Sequence, residues 1–262
     1  MLFITALSFA VVLSVFFFPR IAQDTNYHQF ADQRSLFGIP NFIDTVSNIP
    51  FVLVGGFGIW FLARRLFSNI DNRPDSRWID LPYLGFFAGV FLIGFGSAYY
   101  HLAPDNNRLV WDRLPMTVAF ISFLCAIITE RIGLRTGLAL FLPLLILGMI
   151  SVIYWHWSEQ AGRGDLRFYI LVQFYPLLLI PLVLFLFPAK YTRGWDVFIV
   201  FLLYALSKVS EVLDYQIYSL GQLLVSGHSI KHLLAALAAY WLLRMIRKRQ
   251  YLGEKVAWEK LE

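Results

Sequence analysis

Charge is what this chain has least of. Only 15% of its 262 residues are Asp, Glu, Lys or Arg, where a soluble domain averages about 25%, and the shortfall excludes an ordinary water-facing surface. Cysteine is nearly absent: Cys125 is the single copy, so no intrachain disulfide can staple the fold. Strand-like alternation of apolar and polar residues never persists, which argues against a membrane barrel. No internal repeat and no second domain is visible. The first apolar run lacks a basic stretch ahead of it, and no small-x-small site precedes Pro19, so it reads as a retained helix or uncleaved signal-anchor over 1–20.

Apolar residues are abundant instead. The chain is 58% hydrophobic and 18% aromatic, with a mean hydropathy of +0.62. No charge interrupts Leu2–Pro19 or Thr136–Trp155. Runs of this length match a hydrocarbon core of roughly 30 Å at about 1.5 Å per helical residue. Eight spans are expected, at about 2–19, 45–67, 81–102, 114–130, 136–156, 167–188, 195–213 and 227–246. The predicted fold class is therefore all-α, a polytopic membrane protein.

The net charge of +5 does not point to nucleic acid, because its source is a basic tail at 247–262 and the residues just before it. The links after spans 2, 4 and 6, together with that tail, hold most of the basic residues, among them Arg64, Arg65, Arg73, Arg77, Arg131, Arg135, Lys190, Arg193, Arg244, Arg247, Lys248, Arg249, Lys255 and Lys260. By the positive-inside rule both termini are cytoplasmic, and the links 1–2, 3–4, 5–6 and 7–8 face outward.

Ionisable residues at membrane depth are costly and mark function by default. Here they gather at the outward helix ends. Asn48 opens span 2 in DTVSN, Ser97 and His101 end span 3 in GFGSAYYH, and Asp112 opens span 4 in WDRLPM. Glu211 and Asp214 close span 7, and His228 and His232 open span 8 in SGHSIKH. His228 and His232 are spaced i,i+4, which puts both imidazoles on one helix face. A third histidine from another helix would complete three nitrogen ligands and leave one position open, the pattern of catalytic zinc. Asp112 could take a proton from water there, and the Ser97 hydroxyl could donate to a developing oxyanion.

Plainer readings stand beside these. An H-x-x-x-H pair is often two interfacial histidines, and Ser97 could be a small residue at a helix contact, as Gly94 and Gly96 are. Glu211 and Asp214 could be solvated or paired with Lys208 or Lys231. His156, in YWHW, fits an aromatic belt, and His28 a structural or exposed position.

Taken in order, DTVSN at 44–48, GFGSAYYH at 94–101, WDRLPM at 111–116 and HSIKH at 228–232 resemble the alkaline ceramidase family, within a superfamily of seven-helix membrane hydrolases that also contains adiponectin-receptor-like proteins. The resemblance implies a seven-helix domain over 21–246, with the first span an addition. It implies His101, His228 and His232 as zinc ligands, Ser97 steadying the oxyanion, Asp112 handling protons, and hydrolysis of the N-acyl amide of a ceramide-like lipid to a fatty acid and a sphingoid base. Asn48, Tyr100, Glu211, Asp214 and Lys231 are the candidates for supporting or substrate contacts. Eukaryotic members carry an acidic calcium cluster ahead of the first core helix. This chain has YHQFADQR and IPNFID there, so Asp32, Asn41 and Asp44 supply fewer carboxylates than a calcium cage collects. The competing expectations are a receptor-like seven-helix protein with structural zinc, its fourth ligand Asp112 or Glu211, and an ion-coupled transporter. Lack of a repeat argues against the transporter.

Overall fold

The structure, a computed structural model, describes residues 2–67 and 76–253. Arg73, Lys255, Lys260 and the tail from 254 onward lie outside the described residues, as does the side chain of Arg77. Ten α-helices are present among those described: α1 (Leu2–Ser14), α2 (Phe42–Val46), α3 (Ile49–Phe67), α4 (Ser76–Leu102), α5 (Asn106–Arg131), α6 (Leu134–Gln160), α7 (Arg167–Leu186), α8 (Asp196–Val212), α9 (Asp214–Leu220) and α10 (Gly227–Lys248). The only β-pairings among them are isolated bridges.

Six segments are long and apolar enough to cross a membrane: Phe42–Phe67, Trp78–Leu102, α5, α6, α7 and α10. At 17 residues α8 is slightly shorter, and the apolar helix Leu2–Phe17 is shorter still. The chain is an all-helical, multi-pass membrane protein.

Each expected span has a helix, and the boundaries differ for local reasons. The fourth span, expected from 114, starts eight residues earlier, because the Asp105 carboxylate accepts from the Arg108 backbone N–H at 2.7 Å and caps the first turn. Pro115 then lies inside α5, tolerable in a membrane helix whose neighbours satisfy the freed carbonyl. The seventh span, expected at 195–213, is α8, and the short α9 follows it directly after Leu213. At the start of α10 the Ser226 hydroxyl accepts from Ser229 N–H at 2.9 Å, a serine N-cap.

α5 is the central helix, with 78% of its most apolar window buried against 22% for α6. It packs on α4, α6 and α7, while α10 packs on α8 and α3. α1 lies along α7, where Ser8 hydrogen-bonds Tyr175 and the Arg167 guanidinium donates to the Phe18 carbonyl at 2.5 Å. Exposed Phe57, Leu142, Ile153 and Leu202 suit a lipid-facing perimeter, where the surrounding solvent is itself apolar.

Two glycines set the α4–α5 spacing. A Cβ at Gly89 would lie 2.7 Å from the Ala119 nitrogen, and one at Gly96 would collide with the Trp111 carbonyl oxygen. Small residues permit such close backbone approach, and Gly96 is the residue before Ser97 while Trp111 is the residue before Asp112. Gly96→Ala is expected to force the helices apart and cost about 1–3 kcal/mol, read as a lower unfolding midpoint in detergent. Gly56→Ala is the matched control, since its Cβ would meet the Phe91 ring at an ordinary 3.6 Å, and it should leave the midpoint where it is.

Candidate metal centre and substrate cavity

His101 stands at the end of α4, and His228 and His232 occupy the first turns of α10. The capped α10 start turns both of its imidazoles toward α4. Ring centroids are 4.8 Å apart for His101–His228, 5.1 Å for His101–His232 and 4.8 Å for His228–His232. All three are buried, and one candidate ligand atom from each lies within 4.8 Å of the others. Phe30, from the link after α1, covers the cluster with its ring centroid 4.6 Å from His101 and 4.5 Å from His228.

A hydrogen bond to Ser47 fixes the orientation of the His232 ring. Ser47 donates its hydroxyl proton to the Asp44 carbonyl at 3.0 Å, so its oxygen is left to accept from His232 Nδ1 at 2.7 Å. That sets the proton on Nδ1 and leaves Nε2 with a free lone pair; His232 Nε2 has no hydrogen-bond partner, nor has His101 Nδ1. The Nε2 atoms of His101 and His228 face each other at 3.3 Å. Three buried nitrogen donors turned on one another, with an orphaned lone pair among them, fit a shared divalent metal, and imidazole donors suit zinc.

The flanking polar residues hold this arrangement. Asp214 accepts from His228 N–H at 2.8 Å and from Ala31 N–H at 2.9 Å, joining α9, α10 and the outer link. Asn41 donates to the His101 carbonyl at 2.8 Å. Asn48 donates to the Asp44 carbonyl at 2.8 Å, folding α2 onto α3. The hydroxyl of Tyr100 turns away from the cluster to His28 Nδ1 at 2.8 Å, and His28 Nε2 meets Asn106 at 3.0 Å, so His28 pins the outer link. His156 contacts Gln160 at 2.9 Å.

The candidate calcium residues have protein partners. Asp32 pairs with the Arg34 guanidinium at 2.6 Å, and Asp44 Oδ1 accepts from the Ser226 and Ser229 hydroxyls at 2.9 and 2.6 Å. Among the described residues the three histidines form the one cluster of His, Cys, Asp and Glu suited to a metal.

A cavity of about 260 Å³ opens beside the histidines. Ser97, Asp112, Lys208, Glu211, Lys231 and His232 line its polar part, and apolar side chains such as Phe86, Val90, Phe123, Leu177 and Phe201 line the rest. The Ser97 hydroxyl bonds the Asp112 carboxylate. Glu211 holds Lys231 at 2.7 Å and also Lys208, and Lys231 Nζ lies 3.2 Å from His228 Nε2. Reading by residue type found Ser97, Asp112 and the histidines. It passed over Ser47, whose hydroxyl has no chemistry of its own to signal, although it stands inside the DTVSN motif.

The fold and site define a multi-pass membrane protein with a buried trio of imidazoles, able to hold a metal, beside an amphipathic cavity. The ceramidase family model matches residues 37–191, more than half of the chain, and the chain belongs to the ceramidase family. Ser97, His101 and Asp112 fall inside the matched stretch; His228 and His232 lie beyond it and reach it through the fold. No curated protein and no solved structure matches the chain.

Two measurements test this construction. Ser47→Ala removes the acceptor that orients His232 and should weaken metal binding about 10–100-fold in a chelator competition, with the helical content unchanged. Outside the spans, burial pushes the Asp32 carboxyl up, but hydrogen bonds and charge from Arg34 outweigh it and hold it below the usual range. A depressed native pKa stabilises above the unfolded value, about 3.9, and that contribution is lost as pH falls through the native one. The stability deficit of Asp32→Asn should accordingly be full at neutral pH and close below about pH 4.

Proposed function

We propose that this protein is a zinc-dependent intramembrane amidase that hydrolyses the N-acyl amide of ceramide-like lipids to a fatty acid and a sphingoid base. Membership of the ceramidase family supports an amide hydrolase acting on a lipid. The observation that carries the finer reading is the trio His101, His228 and His232, of which His232 lines a cavity that also holds Ser97 and Asp112. These histidines would hold the zinc, which supplies Lewis acidity toward an amide carbonyl and toward water.

The chain's own groups do the rest. Asp112 accepts the proton that attacking water releases and passes it to the leaving nitrogen, the role of a general acid–base carboxylate. Ser97, already bonded to Asp112, donates instead to oxygen as negative charge develops on the carbonyl. Ser47 keeps the His232 lone pair directed inward. The apolar walls take the acyl chain, so that water approaches from the polar end alone. In this reading residues 1–20 form an added N-terminal transmembrane helix, 21–246 the catalytic domain and 247–262 a cytoplasmic tail. Both termini are then cytoplasmic, and the zinc site faces the other side.

The receptor-like alternative needs a fourth protein ligand. Both oxygens of Glu211 are taken by lysines, and among the described residues no carboxylate joins the three histidines in the metal-suited cluster, which favours an open fourth position. The test is metal content and N-acyl sphingosine turnover on one detergent-purified sample. We expect one zinc per chain, loss of turnover in Asp112→Ala and His228→Ala, and about a 10²–10³-fold lower rate in Ser97→Ala with zinc retained. A His228→Ala protein that keeps metal and activity would falsify the assignment; zinc without turnover of any lipid amide would favour the receptor-like protein.

A further inference from the structure

Arg113 is the one cation on the cavity wall without a carboxylate. It is 5% exposed and follows Asp112 on α5. Its guanidinium lies 4.1 Å from the Trp155 ring centroid, 4.7 Å from Tyr169 and 5.7 Å from Tyr27. Nη2 donates to Gln23 Oε1 at 2.6 Å, while Nη1 is buried with no partner. The neighbouring acids are committed elsewhere: Asp112 to Ser97, Glu211 to two lysines, and Glu159 to the Gln23 backbone N–H and the Trp155 indole.

The contrast with Arg249 is informative. Its side chain is equally buried, and it sits between Glu130 and Asp80, as a desolvated cation ordinarily must. Around Arg113 the aromatic cage lowers the cost of burial and holds the guanidinium in place, but it supplies no counter-charge. The cavity wall carries Arg113, Lys208 and Lys231 against Asp112 and Glu211, one cation in excess. An anionic group on the guest would balance that excess and give the unpartnered Nη1 an acceptor, reached as a side chain of the aromatic cage moves aside.

We infer that Arg113 forms an anion subsite in the cavity, and that the lipid amide taken there carries a carboxylate on its amine portion, as a long-chain N-acyl amino acid does. A planar guanidinium with one nitrogen already committed suits a carboxylate oxygen. The inference rests on the amidase reading for its chemistry and adds a second substrate class to the ceramide-like lipids: the same amide bond is cut, and the amine released is an amino acid in place of a sphingoid base. The water oxygen joins the acyl carbon, the carbon–nitrogen bond breaks, and the two water protons end on the leaving nitrogen, giving a fatty carboxylate and an amino acid zwitterion with its own carboxylate.

The test compares N-palmitoyl glycine with N-palmitoyl ethanolamine, which has the same chain and amide but a hydroxymethyl group in place of the carboxylate. Binding to the full-length zinc-loaded protein is read by displacement of a fluorescent fatty-chain probe in the cold, and hydrolysis is followed separately. The wild type should bind the glycine conjugate at least about tenfold more tightly, the scale of one charge-assisted hydrogen bond. Arg113→Gln should abolish that preference and leave ethanolamide affinity within about twofold, while Arg113→Lys should retain part of it. Should Arg113→Gln fail to fold, a several-fold drop of preference in Arg113→Lys supports the subsite equally. Equal affinities in the wild type, a preference indifferent to both substitutions, or weakened binding of free palmitate alone would overturn the subsite. Anion preference without turnover of either probe would keep the subsite and sink the amidase; N-acyl sphingosine turnover without anion preference would do the reverse.

Discussion

Taking an imidazole out of water leaves two nitrogens that must find partners, and taking three out together, against one another, multiplies the demand. Much of this end of the helix bundle is organised around that demand. Ser47 fixes one ring through Nδ1, Asp214 fixes the backbone that carries another, and Asn41 fixes the end of α4 that carries the third. None of these groups neutralises or bridges the inward nitrogens. His101 Nδ1 and His232 Nε2 are left without a protein partner, and the three rings stand close enough for one guest to bind all of them at once.

The same constraint explains why the polar link after α1 folds over the site. Phe30 excludes water from two of the rings, while Ala31 on one side and Asp32 with Arg34 on the other anchor the link to α9 and to the loop before α10. A lid made of backbone and aromatic carbon lowers the local dielectric without adding charge beside the histidines. The short α9 serves the same end: by following α8 directly after Leu213 it places the Asp214 carboxylate within reach of both the link and the α10 N-terminus.

Much of this was legible in the sequence because the informative residues are rare against their background. Histidine, aspartate and serine at the ends of otherwise apolar runs stand out, and a period of four within SGHSIKH is enough by itself to place two imidazoles on one face. Helix ends were less legible. Asp112 read as the residue that opens the fourth span, yet it lies well inside α5, because Asp105 caps the helix earlier. Ser47 was invisible for a related reason: a serine has one hydroxyl, and only the spatial neighbour decides whether it caps, packs or orients a ligand. The pairing of Glu211 with Lys231 was foreseen as an alternative; that it would absorb both carboxylate oxygens was not, since Lys208 joins it from one turn away on α8.

Glu211 and Arg113 together show how charge is rationed in such a cavity. An acid at membrane depth can be kept ionised by one cation, yet Glu211 is given two, which leaves the trio with net positive charge and sets Lys231 beside His228 Nε2. Arg113 is given no acid at all, although Glu159 lies close enough to share Gln23 and Trp155 with it. Were the cavity meant only for neutral lipid, a carboxylate turned toward Arg113, or an apolar residue in its place, would stabilise the bundle more. Burial of an unbalanced cation beside the reactive end of the cavity is instead what an enzyme carries when part of the balancing charge arrives with its substrate.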